Sequence, residues 1–73
     1  MSREKEAEKI KLKKIKRMFI EEKKNLDKLK KLLEKSKGDE RDILKEKIMR
    51  KKIDIAIIRN KIAREKIKIS KMS

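Results

Sequence analysis

The chain contains no proline and only one glycine, Gly38, which lies close to the middle of its 73 residues. Proline and glycine are the residues that most strongly interrupt an α-helix, so a chain almost without them can be helical nearly from end to end. The one interruption is the run Ser36-Lys37-Gly38-Asp39. Gly38 is suited to the positive φ that often follows a helix, and Asp39 is suited to cap the next helix.

These signals predict a single all-α domain over residues 1–73. A first helix should cover about residues 3–35, a turn residues 36–39, and a second helix about residues 40–70. Each helix would be roughly 45–50 Å long at a rise of 1.5 Å per residue. Because the turn is short, the two helices should fold back on each other as an antiparallel hairpin.

Apolar residues support the hairpin because they recur at steps of three and four along both helices. Such heptad spacing keeps one apolar seam facing a partner helix. Glu22 interrupts the seam in the first helix, and Lys51 and Glu65 interrupt it in the second. The seam residues predicted to form the core are Leu12, Ile15, Phe19, Leu26, Leu29 and Leu33 in the first helix, and Leu44, Ile48, Ile55, Ile58, Ile62 and Ile69 in the second.

The second helix carries another seam, roughly 145° around the helix from the first at 100° per residue. A helix that is apolar on most sides needs neighbours on both sides, and the first helix covers only one. The sequence therefore predicts self-association, most simply as a two-fold dimer that forms a four-helix bundle, with a different partner chain as the alternative. The predicted oligomer interface consists of Met49, Ile53, Ala56, Asn60, Ala63 and Ile67.

Two of the interface residues, Ala56 and Ala63, are small enough to let another helix approach closely. Asn60 has two interpretations. A lone buried polar residue in a seam can fix the register and the number of helices. The side chain could equally face water.

Positive charge is the main indication of function, because 27 basic residues stand against 13 acidic ones for a net charge of +14. In a hairpin, basic clusters near the start of the first helix and the end of the second lie side by side at the open end. Clustered Lys and Arg neutralise phosphates and release counterions, which favours nucleic acid as the partner. The predicted nucleic-acid-binding residues are Lys9, Lys13, Lys14, Lys16, Arg17, Arg59, Lys61, Arg64, Lys66, Lys68 and Lys71.

The kind of nucleic acid is only partly constrained by the sequence. The single aromatic residue, Phe19, belongs to the seam, so no aromatic side chain is available to stack on single-stranded bases. This favours duplex DNA or structured RNA recognised through its backbone and shape. The layout of two helices, a short turn and heptad seams is similar to that of the Rop-type plasmid copy-number regulators. A solvated face on a lysine-rich protein is the alternative explanation of the charge.

A second function class uses the apolar residues of the second helix. The chain could act as an inhibitor, an antitoxin or an adaptor that lays this helix into a groove of another protein. Salt would discriminate between the two functions, because phosphate binding weakens steeply as salt rises. Binding to an anionic membrane surface is a weaker expectation, since the chain lacks Trp and has one Phe.

Catalysis, metals and cofactors are not expected. The chain has no Cys and no His, so thiolate and imidazole ligands and a base near neutral pH are missing. Ile53, Asp54, Ile57 and Arg64 resemble the first helix of the all-helical chorismate mutases, but the sequence has no further helices of that family after Arg64. The first residues carry no apolar run of the kind a secretion signal needs, which makes the cytoplasm the expected location.

Overall fold

The computed structural model describes residues 2–72, which form two antiparallel α-helices. Helix α1 covers Ser2–Lys35 and helix α2 covers Asp39–Lys71, and the described residues include no strand. The predicted all-α hairpin is therefore confirmed, with helix ends within one residue of those expected. The helices pack side by side along their whole length, so the molecule measures 57 × 14 × 11 Å.

The turn contains the expected glycine but is capped differently from the prediction. Gly38 has φ +64°, as expected for a glycine at this position. However, Gly38 is itself the N-cap of α2, and Asp39 is the first helical residue. The backbone carbonyl of Gly38 accepts hydrogen bonds from the amides of Arg41 at 3.1 Å and Asp42 at 3.4 Å. The predicted Asp39 cap is wrong because the reversal at Gly38 already starts the helix.

Two side chains help to close the turn. Ser36 donates its hydroxyl to the carbonyl of Leu32 at 2.6 Å. The guanidinium of Arg41 reaches back from α2 to the carbonyl of Leu33 at 3.3 Å. These bonds satisfy carbonyl groups at the end of α1 that have no partner within the helix.

The predicted seam forms the contact between the helices. Four residues of α2 are buried, namely Leu44, Ile48, Ile55 and Ile58. The other eight predicted seam residues, including all six on α1, are half-buried. Two helices that touch along one line cannot bury these side chains further, and no described side chain is less than 2% exposed.

Two of the interruptions in the seam face each other as an ion pair. The ammonium of Lys51 donates to a carboxylate oxygen of Glu22 at 2.8 Å, and each side chain is 25% exposed. The hydrogen bond from Lys51 lowers the pKa of Glu22 below its usual value. Asn25 contributes in the same direction through a weaker hydrogen bond. The two charges therefore continue the seam where apolar residues are missing.

A polar cluster ends the seam at the open end of the hairpin. Glu65 is buried at 7% exposure and lies beside Glu8, a seam position that the sequence pattern did not reveal. Lys11 lies 3.7 Å from Glu65, and Lys68 donates to Glu8 at 3.1 Å. The interaction between the two carboxyl groups raises the pKa of Glu65 and lowers that of Glu8. Lys11 and Lys68 place positive charge beside this pair.

A large share of the apolar surface stays in contact with water. Nine large apolar side chains are about half exposed or more, on both helices. They are Ile10, Met18, Ile20, Leu32, Ile43, Met49, Ile53, Ile57 and Ile67. Among the described residues, neither helix combines the length and the apolar character that crossing a membrane requires.

Candidate nucleic-acid interface

Two columns of cations run beside the seam at seven-residue intervals. Residues seven apart in an α-helix lie almost directly above one another, about 20° from perfect alignment. We call the α1 set column 1 and the α2 set column 2, and every member is exposed. Column 1 consists of Lys9, Lys16, Lys23 and Lys30, and column 2 consists of Lys45, Lys52, Arg59 and Lys66.

Both columns lie on the same side of the hairpin. Each cation follows a seam residue by one position, and in an antiparallel pair these positions of the two helices border the same edge of the seam. The contacts place members of each column beside the seam. Lys23 places its ammonium 5.3 Å from the centre of the Phe19 ring. Lys45 and Lys52 line a shallow groove together with Leu33 and Ile48, on the two sides of the seam. We call the surface made by the two columns the cationic face.

Cations face cations across this surface. In a hairpin, residues equally far from the turn lie level with each other, as the contacts of Glu22 with Lys51 and of Glu8 with Lys68 show. The same rule places each member of column 1 beside a member of column 2. Each column extends over about 31 Å at 1.5 Å per residue. The four levels are Lys9 with Lys66, Lys16 with Arg59, Lys23 with Lys52, and Lys30 with Lys45.

Carboxylates hardly neutralise the cationic face. Of its eight cations, only Lys9 has a carboxylate of the described residues within 4.0 Å, that of Glu6 at 3.9 Å. Asp27 and Glu34 lie along the outer edge of column 1, beyond that distance. The carboxylates of the seam are instead occupied by lysines outside the two columns, which are Lys11, Lys51 and Lys68.

The opposite side of the seam carries mixed charge. A groove there is lined by Lys14, Lys61 and Arg64 together with the exposed side chain of Met18. The groove continues past Arg17 to carboxylates of both helices, Glu21 and Asp54. An extended polyanion in this groove would therefore meet negative as well as positive groups.

The structure separates the predicted binding residues into different surfaces. All eleven are exposed. Lys9, Lys16, Arg59 and Lys66 belong to the cationic face, whereas Lys68 is held by Glu8. The hydrogen bond with Glu8 raises the pKa of Lys68, which stays charged but has an acceptor within the chain. Lys14, Arg17, Lys61 and Arg64 line the mixed groove, and Lys13 and Lys71 belong to neither surface.

Sequence reasoning missed half of the cationic face. Lys23, Lys30, Lys45 and Lys52 continue the columns from the open end to the turn. In the sequence they lie among acidic residues, so the local density of positive charge does not identify them. The seven-residue spacing of basic residues next to the seam is the signal that identifies them.

The second apolar seam of α2 lies on the outside of the hairpin. Met49 is 63% exposed and Ile53 is 55% exposed, and the other members are exposed as well. Asn60 faces water in the single chain. We call this surface, defined by Met49, Ile53, Ala56, Asn60, Ala63 and Ile67, the apolar strip.

Other kinds of site find little support. Among residues 2–72, no three or more Asp or Glu side chains are grouped so that they could hold a metal ion. Comparisons with protein-family models, curated proteins and solved structures give no match to this chain.

Proposed function

We propose that the protein binds the phosphate backbone of nucleic acid through its cationic face, in a regulatory role, and acts as a dimer joined by the apolar strip. The observation that carries the proposal is the pairing of eight exposed cations in two level columns that contain no carboxylate. A polyanion satisfies all of these charges at once and releases its own counterions in doing so.

The like-charged levels are unfavourable for the protein alone. Like charges that face each other across neighbouring elements destabilise a fold by a few tenths of a kcal/mol per pair. Surfaces that oppose stability in this way are typical of binding sites, where a ligand supplies the missing interaction. The separation of the seam carboxylates from this face supports the same conclusion.

The expected ligand is a duplex or a structured RNA. The only aromatic ring, Phe19, is half-buried in the seam, where Lys23 lies over it. The cationic face therefore has no ring on which unpaired bases could stack. Lysine side chains act as flexible point charges, which suits contact with phosphates and gives little sequence preference.

The proposal is tested by comparing two double variants that lose the same charge from opposite sides of the hairpin. Lys16→Gln with Arg59→Gln removes one level of the cationic face, whereas Lys14→Gln with Lys61→Gln removes two cations of the mixed groove. Binding to a duplex of about 20 base pairs is followed by fluorescence anisotropy over a range of salt. The logarithm of the binding constant falls linearly with the logarithm of the salt concentration. In the first variant this slope should be less steep by about 1.8, because each of the two lost phosphate contacts contributes about 0.9.

The second variant should keep a slope close to that of the wild type. Equal losses in the two variants would mean that net charge, rather than the cationic face, determines binding. A wild-type protein that shows no binding at 50 mM salt would exclude nucleic acid as the partner.

Recognition of another protein is the second candidate, and the exposure of Met49 and Ile53 on the apolar strip favours it. Basic residues border this strip, so the fitting partner is an amphipathic helix with acidic flanks. Binding through apolar contacts should change little between 50 and 500 mM salt. A partner captured equally at both salt concentrations would support this function over phosphate binding.

A further inference from the structure

We infer that the mixed groove binds an amphipathic helix of a partner protein, in which acidic residues precede basic residues by about two turns. The groove lies on the side of the seam opposite the cationic face. The inference therefore goes beyond the proposed function and does not depend on it. A chain that used both surfaces at once would connect a protein to nucleic acid.

The mixed groove is elongated and has an apolar floor. Two adjoining cavities of about 490 and 470 Å³ form it, and Met18, Ile58 and Lys61 line both of them. The floor consists of Ile58 and, towards the open end, Ile15, which belong to the seam. On α1 the lining residues fall within 11–22, a length of about 16 Å at 1.5 Å per residue. Three turns of a helix laid between α1 and α2 have this length.

Both walls of the groove carry charge in the same order. Towards the open end, Lys14 on α1 lies level with Lys61 on α2. Seven residues nearer the turn, Glu21 lies level with Asp54. The two levels are about 10.5 Å apart at 1.5 Å per residue. The groove therefore has a positive end and a negative end. The cations on the open-end side of the two carboxylates are Lys14, Arg17, Lys61 and Arg64.

An apolar level separates the two charged levels. Met18 is 54% exposed and Ile57 is 48% exposed, and they lie level on the two walls. A partner that covers them removes apolar surface from water, which favours docking. Nucleic acid would leave this level uncovered, and its phosphates would be repelled by Glu21 and Asp54. A helix with apolar side chains between its acidic and basic residues matches all three levels.

The charges that line the groove lack a close counterion. Among the described residues, no oppositely charged group lies within 4.0 Å of the four cations or the two carboxylates. At each charged level like charges face each other, Lys14 with Lys61 and Glu21 with Asp54, which opposes folding slightly. A partner side chain of opposite charge, placed between the walls, relieves the repulsion at each level.

The order of charge also determines the direction of the partner helix. Acidic residues stabilise the N-terminal end of a helix and basic residues its C-terminal end, because of the helix dipole. The acidic end of the partner meets Lys14 and Lys61, so its N-terminus lies towards the open end of the hairpin. The partner therefore runs parallel to α1 and antiparallel to α2, and completes a three-helix bundle.

The probe that tests the inference is a synthetic peptide of about 20 residues, long enough to form a helix. It carries two Glu in its first half, Leu at steps of three and four, and two Lys about two turns after the Glu. A second peptide has Glu in place of the two Lys. Fluorescence anisotropy at about 150 mM salt follows the binding of each peptide to the wild type and to the variant Glu21→Lys with Asp54→Lys.

The first peptide should bind this variant about tenfold more weakly than the wild type, because attraction at the negative end becomes repulsion. The second peptide should instead prefer the variant. The control, Asp27→Lys with Glu34→Lys, makes the same charge change outside the groove and should bind the first peptide like the wild type. Equal effects of the two variants, or no binding of the first peptide to the wild type, would overturn the inference.

The apolar level is tested separately, with circular dichroism to check that each variant stays helical. Met18→Gln with Ile57→Gln should weaken binding of the first peptide by about tenfold or more. Ile53→Gln with Ile67→Gln removes similar apolar surface from the apolar strip and should leave peptide binding unchanged. Loss of binding in this second variant alone would place the partner on the strip and overturn the inference. Met18→Gln with Ile57→Gln should bind a duplex like the wild type, so a failure of the groove and a failure of the cationic face give different results.

Discussion

Replacing Lys16 by glutamate should stabilise the hairpin while it weakens binding to nucleic acid. Lys16 lies level with Arg59, so the substitution turns a repulsive level into an attractive one. A surface pair of either kind contributes about 0.3–0.5 kcal/mol, which gives a total change of about 0.6–1 kcal/mol. For a domain of this size the change corresponds to a rise in Tm of about 2–8 °C.

The assay is thermal melting by circular dichroism at 20 mM and at 500 mM salt. Lys31→Glu is the matched control, because it changes the net charge equally on a patch of α1 whose neighbours, Lys28, Leu32 and Lys35, all belong to the same helix. The stabilisation by Lys16→Glu should exceed that of the control at low salt. The difference should shrink at 500 mM salt, where the screening length falls to a few ångströms.

Equal stabilisation by the two variants would refute the reasoning. It would show that the general repulsion of a +14 chain, rather than the pairing of level cations, sets the stability. The binding measurement adds a second condition. Lys16→Glu should weaken duplex binding more than Lys31→Glu, because only Lys16 belongs to the cationic face.

Three further predictions concern the turn and the polar parts of the seam. Gly38→Ala should lower the free energy of unfolding by about 1–3 kcal/mol, because φ +64° is strained for any residue with a Cβ. Steric contact is not the reason, since no atom lies within 4 Å of the added Cβ. An unchanged Tm would contradict this backbone conformation. The raised pKa of Glu65 means that its contribution to stability is present below the usual value of 4.5 and is lost as pH rises through the raised pKa. Glu65→Gln removes the titrating carboxyl group, so melts from pH 4 to 8 should show the variant gaining on the wild type as pH rises; parallel curves would exclude the raised pKa of Glu65. Replacing Glu22 and Lys51 together by Leu should raise the Tm, because apolar residues often stabilise more than a partly buried ion pair, whereas Glu22→Leu alone should lower it by leaving Lys51 unpaired.

The helices and their pairing could be predicted from local rules. Helix length depends on the absence of proline and on the single glycine, and the seam depends on a periodicity that spans many turns. The cap at the turn could not be predicted in the same way. Asp39 has the right side chain for an N-cap, but a positive φ at Gly38 moves the start of the helix by one residue. Such a shift depends on the path of the chain through the turn rather than on residue preference.

The candidate site was predictable only in part, because neighbours in sequence are not neighbours on the surface. The high density of basic residues in the sequence identifies the open end of the hairpin. It does not distinguish between residues on the two sides of the hairpin, because neighbours in sequence point to both. Lys68 illustrates the difference, since Glu8, which pairs with it, lies 60 residues away in the chain. Lys30 and Lys45 belong to the cationic face only once the helices are brought together.

The ion pair between Glu22 and Lys51 has a consequence for how the chain selects a single alignment. With a repeating apolar seam alone, the register of the two helices could shift by seven residues and keep almost the same apolar contacts. Such a slip would set Glu22 against Leu44 or Ile58 and leave Lys51 facing an apolar side chain, so each charge would lose its counterion. The ion pair thus fixes the register of two helices whose apolar seams would otherwise permit several. The pairing of cations at each level of the cationic face depends on this register.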